Sequence, residues 1–182
     1  MPTSKTTVIS VVGGKRSGKT TTIEALTKEL TKRGFTIAVI KHVSEPDFTI
    51  DTKGKDTWKF AEAGARKIIS IANNEIAIIE KTNTKNITLR EILEHSKTAD
   101  ITFLEGFKKL TISNDKIPKI IAAKTAEEAD EFSKNFKPVI AIAGIYPAGE
   151  RNPNTPCIDI LKHPEQLADI IEKIVKQDTF VA

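Results

Sequence analysis

The sequence predicts an α/β fold: a mostly parallel central sheet flanked by helices, with one antiparallel hairpin. Three observations predict it. Short apolar runs alternate with helical patterns along the 182 residues. A glycine-rich turn, Gly13-Gly14-Lys15-Arg16-Ser17-Gly18-Lys19-Thr20, joins the first run to the first helical pattern. Asn73-Asn74 joins two further apolar runs at hairpin distance.

The elements follow in order. Val8-Ile9-Ser10-Val11-Val12 reads as a buried strand. After the glycine turn, Ile23, Leu26 and Leu30 recur at three- and four-residue spacing, the mark of an amphipathic helix. Glu24 and Lys28 form a supporting i,i+4 pair on it, and Gly34 is its expected C-cap. Phe35 to Ile40 is the second strand, and strand, helix, strand implies a right-handed parallel crossover. A polar segment, Ser44 to Lys55, leads to a short helix from Asp56 to Ala63 that stops at Gly64. Ile68 to Ile71 and Ile76 to Ile79 form the hairpin, with positive φ expected at both asparagines. Thr88 with Glu91 makes a capping box for a helix carrying Leu89, Ile92 and Leu93. Ile101 to Leu104 and Ile120 to Ala123 are strands. Thr125 with Glu128 caps a helix carrying Ala129, Phe132 and Phe136, and Val139 to Ile142 is the last strong strand. Pro164 opens a final helix striped with Leu167, Ile170, Ile171, Ile174 and Val175.

Composition narrows the function classes. Hydrophobic residues make up 39% and charged residues 29%, ordinary values for a soluble chain, so one domain spanning 1–182 is expected. The start is polar and its first apolar run is too short to span a bilayer, which argues for no leader and no membrane partner. Cys157 is the lone cysteine, so a disulfide framework is excluded and a cytoplasmic location is expected. The net charge of +4 mildly favours anions. It is no clustered basic stripe, and one Trp and one Tyr leave little for base stacking, so nucleic acid is not the expected partner.

The glycine turn matches G-x-x-x-x-G-K-[ST] at every fixed position, with the required strand before it and helix after it. Its backbone N–H groups curl around an anion, and the following helix points its positive end at the same place. Lys19 is placed to reach β- and γ-phosphates and the Thr20 hydroxyl to ligate Mg²⁺. The second position holds Gly14, so the lysine that some dimeric ATPases carry directly after the first glycine is absent.

Such a site needs an acidic group at the carboxyl end of a neighbouring strand. Glu105, followed by Gly106, supplies it in "DITFLEGFKK". Asp100 sits at the wrong end of that strand and reads as a strand-start polar residue. The loop after the second strand holds Asp47, Asp51 and Asp56; Asp47 reads as solvated surface, while Asp51 and Asp56 both remain open as Mg²⁺-water or substrate groups. Lys41-His42 ends the second strand and so shares that face, the histidine open to a functional or a structural role.

"GGKRSGKTT", "IKH", "DTKGKDTWK", "AGA", "LEGFK" and "PKI" occur in this order. In that ordered set, from about Val8 to Gly144, the chain resembles the MobB family, the molybdopterin-guanine dinucleotide biosynthesis adapter proteins. The resemblance implies a P-loop NTPase fold that binds GTP with Mg²⁺ and hydrolyses it slowly at best. It implies homodimers with an extended sheet. It implies work beside the guanylyltransferase that joins GMP to molybdopterin, and with other cofactor-maturation proteins. Carried onto this chain, nucleotide binding falls to Gly13, Gly14, Lys15, Arg16, Ser17, Gly18, Lys19, Thr20 and Thr21, with Lys41, His42, Asp56, Gly106 and Lys108. Lys19, Glu105 and Asp51 are the candidate catalytic groups, and Thr20, Glu105 and Asp51 the candidate metal ligands. Gly54, Lys55 and Lys119 belong to the same motifs. Val43-Ser44-Glu45-Pro46 stands where many members carry further histidines, and Lys53 where proline is frequent.

An N-K-x-D guanine reader is absent, so the base preference rests on the resemblance, with Ala143-Gly144 the place to look for a base contact. The alternative is a small-molecule kinase using ATP. That chemistry needs a lid of arginines, and Arg16, Arg33, Arg66, Arg90 and Arg151 form no such cluster. A nickel-insertion type of metal-delivery GTPase needs Cys or His clusters, and His42, His95 and His163 are scattered.

Overall fold

The computed structural model describes residues 6–144 and 155–177. Arg151, one of the arginines weighed above, lies outside the described residues. Two compact units are present: Val43–Thr88 forms one, and the chain before and after it forms the other.

The larger unit is built on β1 (Thr7–Val12), which follows from a run of β-branched residues interrupted only by Ser10 and is buried at every position. The phosphate-loop turn then leads into α1 (Lys19–Lys32) and β2 (Ile37–Lys41). The crossover is as expected, but β2 begins two residues late. Thr36 is instead engaged with Asp100, and Phe35 closes the end of α1 through its N–H to Leu30 O at 3.2 Å. After the smaller unit come α3 (Leu89–Glu94), β5 (Ile101–Glu105), α4 (Lys108–Thr111), β6 (Lys119–Ala122), α5 (Ala126–Asn135), β7 (Val139–Ala143), β8 (Cys157–Ile158) and α6 (Pro164–Gln177). The sheet order is β2-β5-β1-β6-β7-β8, every pair parallel.

Alternation along the strands divides the core. Ile9, Val11, Phe103 and Ile120 face α1 and α6, packing against Leu26, Leu30, Leu167 and Ile171. Val12, Ile121 and Ala123 face the other way and meet Ala129 of α5 and Phe136 just past its end. Arg33, at the end of α1, bonds Glu29 on its own helix and Asp169 and Glu172 on α6, at 2.7 to 3.1 Å. The ion pairs at this end of α1 thus gather on Glu29 rather than on Glu24 and Lys28.

The smaller unit holds α2 (Asp56–Glu62) and the hairpin β3 (Lys67–Ala72) with β4 (Glu75–Glu80). The strands pair from Lys67↔Glu80 to Ala72↔Glu75. Asn73 and Asn74 do not adopt positive φ; among the described residues Arg16 is the only non-glycine that does. The hairpin therefore does not rest on the mirror-image turn expected of it, and its register is carried by the six facing pairs along the strands. Among the described residues no helix is long and apolar enough to cross a membrane.

Candidate functional site

The turn after β1 is shaped by what cannot fit there. A Cβ on Gly13 would lie 2.1 Å from Ala122 O and 2.4 Å from Ser17 Oγ, so only glycine is tolerated. Gly18, at φ +92°, is the N-cap of α1 and offers no side-chain cap. The first turn of α1 carries no acidic residue either. The N–H groups that open the helix are thus left for an anion. Arg16 is held at φ +58°, a conformation that costs a non-glycine residue free energy and that clusters at functional turns.

Lys19 Nζ donates to Gly14 O at 2.5 Å and reaches Gly13 O at 3.5 Å. Burial lowers its pKa; Glu105 and Glu128 oppose that, while Lys108 and Lys41 add to it. Four charged groups thus surround one ammonium at the mouth of the loop.

The parallel register brings the strand-end residues together. Lys41 and Val11 both pair with Glu105, so three strand ends form one row. Glu105 is buried, 8% exposed. Its carboxylate accepts from Thr20 Oγ1, 3.1 Å from Oε1 and 3.3 Å from Oε2, and Lys41 Nζ lies 3.6 Å from Oε1. His42 continues the row: its N–H donates to Glu105 O at 2.9 Å, and its ring meets Phe107 edge-on with centroids 5.5 Å apart. Gly106, at φ +88°, takes the left-handed backbone of the turn beside His42, where a Cβ would meet His42 Cβ at an ordinary contact distance of 3.6 Å. Lys108 Nζ sits 4.5 Å from the centre of the Phe132 ring, a cation–π contact.

Thr20 and Glu105 present adjacent hard oxygen donors at the helix start, which suits Mg²⁺, an ion that takes few protein ligands and completes its shell with water and phosphate oxygens. Among the described residues no group of three or more His, Cys, Asp or Glu could by itself hold a metal.

Asp51 and Asp56 belong to the smaller unit. Asp51 Oδ1 accepts from Thr57 Oγ1 at 2.7 Å and from Thr52 N–H at 2.9 Å, while Oδ2 is buried with no hydrogen-bond partner. Asp56 opens α2, largely exposed, with Lys59 at 3.2 Å. Asp100 is a strut at the opposite end of β5: its Oδ2 accepts from Thr36 N–H at 2.7 Å and from Thr36 Oγ1 at 2.6 Å. Lys119 is fully buried at the start of β6, where Nζ donates to Asn114 O at 2.6 Å and to Lys137 O. Its role is to tie two loops to the sheet. The Gly144 N–H is spent on Ile158 O, at 3.1 Å.

The sequence shows Glu128 only as the capping partner of Thr125, and the structure adds a contact with the loop. Glu128 Oε1 accepts from the Gly14 N–H at 3.1 Å and Oε2 from the Lys124 N–H at 2.8 Å. Thr125 caps α5 as expected, accepting from the Glu128 N–H at 3.3 Å. The T-x-x-E pattern was the signal, but a capping box spends the carboxylate on its own N-cap residue. Here it goes to the preceding N–H and to the phosphate loop.

A mostly parallel sheet with this loop between β1 and α1, and an acid at the end of the neighbouring β5, is the fold of the P-loop NTPases. Residues 8–144 match the model of the MobB family, described as molybdopterin guanine dinucleotide synthesis protein B. The chain belongs to this family. It is similar to the molybdopterin-guanine dinucleotide biosynthesis adapter protein of Haemophilus influenzae, 33% identical over 91% of this chain and 87% of that one. The adapter protein of Escherichia coli is 29% identical over 89% and 90% of the two chains. Among solved structures, a molybdopterin-guanine biosynthesis protein B superposes with a TM-score of 0.69 at 25% identity, over 93% of this chain and 99% of that one. Bacillus subtilis MobB superposes with a TM-score of 0.72 at 22% identity, over 92% and 96%, and is evidence for the fold alone.

Proposed function

We propose that the chain is a GTP-binding adapter in molybdenum cofactor biosynthesis. In this reading it holds GTP with Mg²⁺ and hydrolyses it slowly. It assists guanine nucleotide attachment or cofactor delivery beside the guanylyltransferase, in the cytoplasm, as a homodimer, with both units serving one nucleotide-binding domain. The observation that carries the reading is the meeting of Lys19, Thr20 and Glu105 at one mouth of the sheet, in a chain of the adapter family.

Each side chain has a distinct part. Lys19 leaves or shares the Gly14 carbonyl to pair with β- and γ-phosphate oxygens. The N–H groups of Gly18 to Thr21 take the remaining phosphate oxygens. Thr20 and Glu105 hold Mg²⁺, which when bound neutralises phosphate charge. Lys41, 3.6 Å from Glu105, balances that carboxylate when no ion is present.

The described loop supports holding more than fast hydrolysis. Arg16 is exposed, and Arg33 is committed to α6. Arg33 is therefore not free to serve as a phosphate lid. Turnover of GTP by the purified chain with Mg²⁺ is therefore expected far below the enzyme median of about 10 per second, and a rate near that value would contradict the adapter role.

A further inference from the structure

We propose that Glu128 is a positioning residue of the phosphate loop, a strut from the start of α5 that fixes the Gly14 peptide for nucleotide binding. The proposal rests on the nucleotide-binding reading of that loop. Three observations carry it. First, the Gly14 residue is gripped from two sides: its N–H by Glu128 Oε1 at 3.1 Å, its carbonyl by Lys19 Nζ at 2.5 Å. The two peptide planes that flank the Gly14 Cα are thereby each held by one side chain, the first by an acid and the second by a base. Second, Glu128 is itself fixed. Its backbone N–H is held by Thr125 Oγ1 at 3.3 Å, and its second carboxylate oxygen by the Lys124 N–H at 2.8 Å. The side chain thus cannot leave the loop without abandoning two N–H groups. Third, the fit is close. A Cβ on Gly14 would lie 2.1 Å from Glu128 Oε1, and a Cβ on Gly13 would lie 2.1 Å from Ala122 O. The end of β6 and the first turn of α5 form the wall against which the loop is cast.

The electrostatics sharpen the argument. A carboxylate beside a polyphosphate site repels the ligand. Glu128 therefore earns its place through geometry, since its charge alone works against binding. The two contributions separate by substitution. Glu128→Ala removes the strut and the charge. Glu128→Gln removes the charge and keeps one oxygen for the Gly14 N–H, giving up the acceptor for the Lys124 N–H.

The test uses the full chain and two readouts: hydrogen exchange of the Gly14 amide by NMR without nucleotide, and calorimetric binding of GTP with Mg²⁺. In Glu128→Ala, the Gly14 amide is expected to exchange at least about tenfold faster and GTP to bind roughly tenfold more weakly, the scale of one lost charged hydrogen bond. Amides in β1 and α6 keep their protection. Glu128→Gln restores both readouts to within about threefold of the wild type. Unchanged Gly14 exchange or unchanged GTP affinity in Glu128→Ala overturns the proposal. So does a uniform loss of protection across β1 and α6 in both variants, which would make Glu128 a general stability residue. If the wild-type chain binds neither GTP nor ATP, the nucleotide reading fails, and Gly14 exchange alone then decides whether the strut exists.

Discussion

Glu105 and Asp100 are carboxylates at the two ends of the same strand, and their neighbours give them opposite work. Glu105, at the carboxyl end, meets the Thr20 hydroxyl and the Lys41 ammonium and stays beside the phosphate loop. Asp100, at the amino end, takes both donors of Thr36 and fixes the entry to β2. Lys119 and Lys41 divide in the same way. Lys119 is spent on carbonyls beneath the sheet, and burial lowers its pKa. Lys41 is exposed at the mouth. A pH prediction belongs here. Hydrogen bonds from Thr36 hold the Asp100 carboxyl below its ordinary value of 3.8. A depressed folded pKa means that this stabilisation is fully present above the unfolded value and is lost as pH falls through the folded one. Urea unfolding is therefore expected to show that Asp100→Asn is less stable than wild type at about pH 6 and loses less stability on acidification to about pH 3. Parallel losses in the two proteins would show that Asp100 makes no such contribution.

At the scale of elements, what periodicity and turn chemistry control was legible. α1 and α6 follow from apolar stripes at helical spacing, and β1 and β5 from short, mostly apolar runs, because each buries one whole face or both. The phosphate loop was legible because its glycines are required locally, at Gly13 by crowding and at Gly18 by positive φ. Elements too short to carry a period were not read: α4 has four residues and β8 has two. The Asn73-Asn74 turn misled because facing strand pairs, rather than the turn, set the register. From sequence Glu128 is visible only as a local cap because its partner in the loop, Gly14, lies 114 positions away in the chain. Asp51 is legible as a candidate only: within its own unit it is a partly satisfied carboxylate with one buried oxygen free of partners.

At the scale of the molecule, the hairpin presents a face that a lone chain has no reason to expose. Register places Ile69 opposite Ile78 and Ile71 opposite Ile76, all on one side, and exposure reaches 78% at Ile71. Four adjacent isoleucines in water form an apolar patch of the kind that contact surfaces use. The homodimer proposed above is expected to use it, so light scattering should find a dimer for the wild type and a monomer for Ile71→Asp. A monomeric wild type, or a dimer indifferent to that change, would remove this face from the account. The central claim is that Lys19, Thr20 and Glu105 build a guanine-nucleotide site. Calorimetric titration of the wild-type chain with GTP and with ATP, each with Mg²⁺, tests it most directly, with Lys19→Ala as the control. The account predicts clear preference for GTP and a loss of at least roughly a hundredfold in affinity for Lys19→Ala, about 2.7 kcal/mol, with the fold intact. Preference for ATP, or binding that ignores Lys19, would contradict it and put the small-molecule kinase in its place.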